Sequence, residues 1–371
     1  MATRNLNDEG HRLAVSVHEP TAASVALVIG IAIVSFVLAS GLVSRFREWA
    51  LRQEILDVAN HRSLHTGAVP RGAGIAIVAL TVIGALVLAA FTTIAPPQVL
   101  WAYIIGGALI AAVSWIDDVR GLPAFVRFPA HVIAAVAVVT ACGGVRTLAI
   151  PPVGTLDVGV MGSVFGVIWI VGLTNAFNFM DGSDGIAGLQ AVVAGVGLAI
   201  IGFLAHESLL IVVAALIAGS SGGFLRSNWA PANVFMGDVG SAFVGFSLAS
   251  ASLIAAASSP RLAAAGVLAV WPFVFDTGFT LLQRVRRGER IWEAHRSHLY
   301  QRSIAHGAPH AGVAIEYGAA AAVTLVAAIL WVTGIDERGL TAVALAAAVA
   351  VWLWMRMTSR ERGNMQVAPH A

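Results

Sequence analysis

Eleven apolar runs set the terms for this chain: 22–43, 72–91, 99–116, 128–142, 161–174, 186–205, 209–225, 239–257, 262–282, 311–332 and 340–355. A helix needs about 20 residues to cross the hydrocarbon core of a bilayer, and there every backbone N–H and C=O must be satisfied within the protein. The pattern predicts an all-α, polytopic integral membrane protein with about 11 transmembrane helices, the fifth of them short. Only 11% of the 371 residues are charged, against roughly 25% in soluble domains, which leaves no room for a large soluble domain. The expected division is a polar N-terminal tail over 1–21, a transmembrane domain over 22–357 and a mobile C-terminal tail over 358–371. The first run is long for a signal peptide and lacks a small-residue cleavage site, so it reads as a retained helix. The single cysteine, Cys142, lies in an apolar run and reads as a small buried hydrophobe.

Orientation follows from the 22 basic residues, all of them arginine. With eleven crossings, Arg4, Arg12, Arg146, Arg261 and Arg338 fall on one side and the other 17 on the opposite side. Short loops rich in Arg and Lys stay in the cytoplasm. The N-terminus is therefore expected outside and the C-terminus inside. A formal net charge of +2 is too small to suggest a nucleic-acid partner. The stretch 145–158, with its prolines, glycine and alternating apolar residues, reads as a small outer hairpin.

The polar motifs then fall on the cytoplasmic side. Between the fifth and sixth runs lie Asn175, Asn178, Asp181, Gly182, Asp184 and Gly185. A turn between helices does not need two Asn and two Asp together, and charge at a membrane edge is a functional candidate by default. Asp117 and Asp118 end the third run. Adjacent helical residues point about 100° apart, so the two need not share a ligand. They suit acid–base work or metal attraction, or simply anchor a helix end. Asp238, after Phe235-Met236-Gly237, complements the start of a helix and can also share a site with an anion through Mg²⁺. The last large loop carries His295, Arg296, His298 and Arg302. Arginines bind phosphate with forked geometry, and some of these also serve as positive-inside charge against anionic lipid. Several acids for a hard cation and several arginines for phosphate point to a diphosphate-bearing substrate. No Walker loop and no Ser-His-Asp set is present.

Five blocks in order resemble the polyprenyl-phosphate N-acetylhexosamine-1-phosphate transferases. They are Arg62-Ser63…His65…Pro70-Arg71-Gly72; Asp117-Asp118; Asn175…Asn178…Asp181-Gly182…Asp184-Gly185; Phe235-Met236-Gly237-Asp238…Gly240-Ser241; and His295-Arg296-Ser297-His298…Tyr300-Gln301-Arg302. The resemblance spans about 60–302 and, with flanking helices, most of the chain. It implies transfer of a sugar 1-phosphate from a UDP-N-acetylhexosamine to undecaprenyl phosphate with release of UMP, assisted by Mg²⁺ or Mn²⁺. It further implies a bacterial plasma (inner) membrane location with the active site on cytoplasmic loops.

The last block looks most like the O-antigen-initiating branch, which uses N-acetylglucosamine, N-acetylfucosamine or N-acetylquinovosamine donors. The branch that makes peptidoglycan lipid I has three histidines there and a lysine after its Asp pair; this chain has His-Arg-Ser-His and no lysine. By the same resemblance Asp238 and Asp181 hold the metal, Asp117, Asp118 and Asp181 serve the reaction, and Asn178 positions the diphosphate. Asp184 faces the uridine. His295, Arg296, His298 and Arg302 bind donor phosphates or sugar, and Arg71 assists the nucleotide or the lipid phosphate. A direct attack and a phosphorylated-aspartate route both fit.

Two other classes compete. A membrane transporter with a cytoplasmic anion site would place its acids near the bilayer midplane, whereas these lie at predicted helix ends. A non-catalytic scaffold of a glycan-assembly complex would tolerate Asp→Asn changes. Alanine-rich helices allow close packing and so permit a homodimer without requiring one.

Overall fold

The computed structural model describes residues 21–58, 68–290 and 295–367. Arg62, Ser63 and His65 of the first motif lie outside these residues, as do 1–20 of the N-terminal stretch. The chain forms α1 (Ala22–Arg52), a two-stranded ribbon of β1 (Leu56–Val58) and β2 (Ala68–Pro70), α2 (Ile75–Phe91), α3 (Pro97–Arg120) and α4 (Ala124–Ala141). An antiparallel hairpin of β3 (Thr147–Ile150) and β4 (Gly154–Asp157) follows, as the alternation over 145–158 suggested. Then come α5 (Val160–Met180), α6 (Ile186–Ala205), α7 (Ser208–Asn228), α8 (Asp238–Ala256), α9 (Arg261–Ala269), α10 (Trp271–Arg286), α11 (Leu299–Ala305), α12 (His310–Val332) and α13 (Leu340–Val367).

Among the described residues nine helices are long and apolar enough to cross a membrane, and the α9–α10 pair would make a tenth. Each of the eleven apolar runs coincides with a helix or, at 262–282, with that pair. Four details differ from the sequence reading. The run 262–282 is not one helix: α9 and α10 meet at 79°. Pro272 is the cause, since it has no N–H to continue a helix and fits only in the first turn of the next one. The run 72–91 yields a 17-residue helix that begins at Ile75, shorter than the nine spanning helices. The short run 161–174 belongs to a 21-residue helix that continues through Asn175 and Asn178 to Met180. Those two asparagines are thus on a helix, and the turn is confined to 181–185. Finally, the boundary at 357/358 falls inside α13, which runs on to Val367, with Arg360 held by Glu316 of α12.

The helices wrap around α7 and α8, whose apolar windows are 83% and 94% buried, while α1 and α13 lie outermost at 22%. At the motif-bearing end, α2 meets α8 through glycines. A Cβ on Gly74 would strike the Gly240 Cα and come within 2.7 Å of the Met236 carbonyl. These are backbone atoms, so no rotamer relieves the overlap. Gly74→Ala is expected to cost about 2–3 kcal/mol, seen as a lower thermal midpoint of purified protein; an unchanged midpoint contradicts the packing.

Candidate active site

The site forms where the chain ends of α3, α5 and α8 meet the entry to α2. Residues 70–74 lie alongside 235–236: Phe235 N–H donates to the Pro70 carbonyl (2.8 Å), Ala73 N–H to Phe235 O (3.1 Å) and Gly74 N–H to Met236 O (2.9 Å). This pairing sets Arg71 beside Asp238. Gly237 makes the turn into α8 at φ 76°, a value that strains other residues, and a Cβ there would also sit 2.6 Å from the Asp118 carboxylate.

The last turn of α3 sends its two acids in different directions. Asp118 is the cap of α8: it accepts from the N–H groups of Asp238 (2.9 Å) and Val239 (3.0 Å) and takes the Arg71 Nε at 2.8 Å. Its side chain is 2% exposed. Both of its oxygens thus accept from the protein in this arrangement. Asp117 turns toward α4, accepting from the Leu122 N–H (2.5 Å) and pairing with the Arg127 guanidinium.

Asp238 sits between both arginines. Its Oδ1 is 2.5 Å from Arg71 Nη2 and its Oδ2 is 2.7 Å from Arg127 Nη1. Burial works against the charge on Arg71, but Asp238 and Asp118 outweigh it and hold the guanidinium firmly protonated. Asn178, two residues before the end of α5, donates to the Ser241 hydroxyl at 3.3 Å and stands beside Asp238. Asn175 contacts the His131 imidazole at 3.2 Å.

Asp181 caps the C-terminus of α5. Burial first, then the neighbouring Asp238, lifts its pKa well above the usual carboxylate range, with Arg71 opposing. Asp184 is drawn aside: its Oδ2 accepts from the Ala232 N–H at 3.0 Å, and His310 Nδ1 lies 3.7 Å from Oδ1.

The 295–302 loop docks against the end of α5, where the Tyr300 hydroxyl donates to the Phe179 carbonyl at 3.0 Å. His298 is buried next to Asp276 of α10, Nδ1 to Oδ1 3.3 Å, and its ring lies 5.0 Å from that of His295. Arg296, between them, is exposed. Arg302 turns away from the aspartates and pairs with Glu361 of α13 (Nη2 to Oε1 2.6 Å), so it fastens α11 to the last helix rather than facing the cluster.

Burial, then the neighbouring His298 and Arg284, lowers the His295 pKa from 6.5 to about 4. The folded state thus disfavours the extra proton. The stability it contributes is complete above pH 6.5 and is lost as pH falls toward about 4. His295→Gln is expected to flatten the loss of thermal stability across that window; an unchanged acid slope contradicts this.

Arg127, Asp276 and His131 were not singled out by the sequence reading. Arg127 looked like any positive-inside arginine. Asp276, a lone acid inside an apolar run, carried a signal that intramembrane charge always carries.

The Mg²⁺ or Mn²⁺ implied by the resemblance can be tested against these residues. Asp117, Asp118, Asp181 and Asp238 face two guanidiniums, an excess of negative charge made of hard oxygen donors. An acid raised by its acidic neighbour is a place that a cation would relieve. Among the described residues no three acids, histidines or cysteines form a ready-made cage. Mg²⁺ commonly binds through one or two carboxylates, with water and substrate phosphate completing its shell. The donor set fits, with Asp181 and Asp238 as the residues that would hold it.

The model of Glycosyl transferase family 4 matches residues 100–256. The chain is 29% identical over 264 residues, 70% of its length and 73% of the relative's, to a probable undecaprenyl-phosphate N-acetylglucosaminyl 1-phosphate transferase of Bacillus subtilis. It is 30% identical over 308 residues, 75% of its length and 76% of the relative's, to a decaprenyl-phosphate N-acetylglucosaminephosphotransferase of Mycobacterium leprae. A phospho-N-acetylmuramoyl-pentapeptide-transferase of Lactiplantibacillus plantarum matches at 36% identity over 107 residues, 29% of this chain and 33% of the relative.

Proposed function

Because the chain belongs to the polyprenyl-phosphate N-acetylhexosamine-1-phosphate transferase family, we propose that it transfers N-acetylhexosamine 1-phosphate from a UDP-sugar to undecaprenyl phosphate. The family's members are membrane-embedded transferases of cell-envelope synthesis. The reaction proposed here makes the first lipid-pyrophosphate intermediate of an O-antigen or other envelope polysaccharide. The names of the Bacillus and Mycobacterium relatives favour N-acetylglucosamine as the sugar. The fold offers the transporter reading no support, since the acids gather at helix ends.

One observation carries the proposal: Arg71 and Arg127 converge on Asp238, with Asp117 and Asp118 behind them. In the direct route, an acceptor phosphate oxygen attacks the β-phosphorus of the donor, the bond from that phosphorus to the bridging oxygen breaks, and UMP leaves with the electron pair. Donor, acceptor and leaving group are all anions, so catalysis rests on neutralisation and alignment. The two guanidiniums, resting on Asp238, exchange it for substrate phosphate oxygens. Asp117 then orients Arg127 toward the acceptor. Asn178 positions the diphosphate. Asp184 serves the nucleoside, with His310 Nδ1 3.7 Å from its Oδ1. His295, kept neutral, and His298 with Arg296 take the donor's phosphate or sugar. Asp181 and Asp238 would hold Mg²⁺ or Mn²⁺, which would supply Lewis-acid polarisation of the diphosphate. The prenyl tail stays in the lipid, and the arginine distribution supports a site on the cytoplasmic face.

The test uses purified protein, undecaprenyl phosphate, Mg²⁺ and one UDP-N-acetylhexosamine at a time, with the lipid product read by mass. Metal-dependent, chelator-sensitive UMP release with a lipid-pyrophosphate sugar is expected. Silence with every donor, repeated in native membranes that supply the natural lipid, would refute the proposal.

A further inference from the structure

The 295–302 loop is tied to the membrane helices by a carboxylate that the scheme above does not use. Asp276 lies on α10 with no exposed surface. Its Oδ1 accepts from the Leu299 N–H (2.8 Å) and the Thr280 hydroxyl (3.1 Å). Its Oδ2 accepts from the Tyr317 hydroxyl (2.6 Å) and the Tyr300 N–H (3.2 Å). The His298 Nδ1 is 3.3 Å from Oδ1. A buried carboxylate is costly unless hydrogen-bonded throughout, and here donors from α10, α11, α12 and the loop all converge on it.

Two of those donors, Leu299 and Tyr300, begin α11, and the Tyr300 hydroxyl reaches Phe179, two residues before Asp181. Asp276 therefore sets where α11 stands relative to the end of α5. The His298 ring faces that carboxylate through Nδ1, the arrangement by which an outer carboxylate fixes the ring of a working histidine. Nothing in a generic membrane helix requires an acid at this place; Leu or Phe would pack there at lower cost.

We propose that Asp276 is a positioning residue for donor binding: through His298 and the first turn of α11 it holds the His295–Arg296–His298 loop toward the donor diphosphate. This rests on the reading that the loop binds the donor.

The experiment compares wild type, Asp276→Asn, Tyr317→Phe, His298→Ala and the Asp276→Asn/His298→Ala double variant. Steady-state constants are measured for donor and acceptor, and histidines are labelled with diethylpyrocarbonate and mapped by mass. Asp276→Asn is expected to raise donor KM or lower donor kcat/KM by about 10–100-fold, with the acceptor KM little changed. It should add little in the His298→Ala background, because the two act together. His298, 2% exposed, should be protected in wild type and labelled in Asp276→Asn, while His131 on α4, 5% exposed, stays protected in both. Tyr317→Phe, which keeps the carboxylate and removes one donor, should move every readout the same way by a smaller factor, and it serves if Asp276→Asn fails to fold.

Unchanged donor constants with His298 still protected would overturn the proposal. So would equal losses for donor and acceptor that add to those of His298→Ala, because Asp276 would then serve the fold alone. If wild type turns over no donor, the function proposed above fails, and the labelling pattern alone decides whether Asp276 positions the loop.

Discussion

Asp238→Asn is expected to lower sugar-phosphate transfer by about 10²–10³-fold or more while the protein still inserts and folds. Asn keeps the shape but replaces a carboxylate with a neutral amide. The site loses one of its two candidate metal donors and the anion on which Arg71 and Arg127 both rest at 2.5 and 2.7 Å. Folding should suffer less, because Arg71 retains Asp118 and Arg127 retains Asp117, and the α8 cap is made by Asp118 rather than by Asp238 itself. Turnover and thermal midpoint, measured together in Mg²⁺, separate the two effects. Activity within tenfold of wild type would remove Asp238 from the reaction, whereas a large loss confined to a protein that no longer folds would leave it as a structural residue.

Arg127→Gln should lower kcat/KM by about 10²-fold or more, since a guanidinium set against transferring phosphate commonly contributes more than that. The residue stands one turn into α4 and bridges Asp117 and Asp238 with a single nitrogen. Arg127→Lys should recover part of the loss and not all of it, because an ammonium keeps the charge without the planar fork. The relevant comparison is kcat/KM for Arg127→Gln and Arg127→Lys at saturating Mg²⁺. If Arg127→Gln stays within about threefold of wild type, the arginine is ordinary positive-inside charge and the bridge has no catalytic weight.

These two residues mark how far the sequence can be read. Asp238 was legible through its block, Phe235-Met236-Gly237-Asp238, one of five in order, since an acid at that place alone also reads as a helix cap. Arg127 was not, since a flanking arginine looks the same whether it meets lipid headgroups or a carboxylate over a hundred positions away. The apolar runs were legible for the same reason that they fold: burying backbone in lipid leaves few alternatives to a helix. Their limits were less so. The run 161–174 ends where polar residues begin, yet Asn175 and Asn178 continue the helix because they face Ser241, His131 and other protein groups rather than lipid. The break in 262–282 was written in Pro272, and the buried Asp276 four residues later was a visible anomaly in the same run. The division of labour between Asp117 and Asp118 follows from the rotation of adjacent helical residues. Which of them faces α8 is decided by tertiary packing. The turn of Arg302 to Glu361 needed the course of α13, which the polar composition after 357 concealed.

The central claim is that a sugar phosphate, and not a sugar alone, moves to the lipid. The most direct measurement gives the protein undecaprenyl phosphate, Mg²⁺ and UDP-N-acetylglucosamine labelled at the β-phosphorus, then locates the label. The account predicts label in the lipid as a pyrophosphate, with unlabelled UMP released in equal amount. Labelled UDP in solution, with a lipid monophosphate sugar as product, would contradict it.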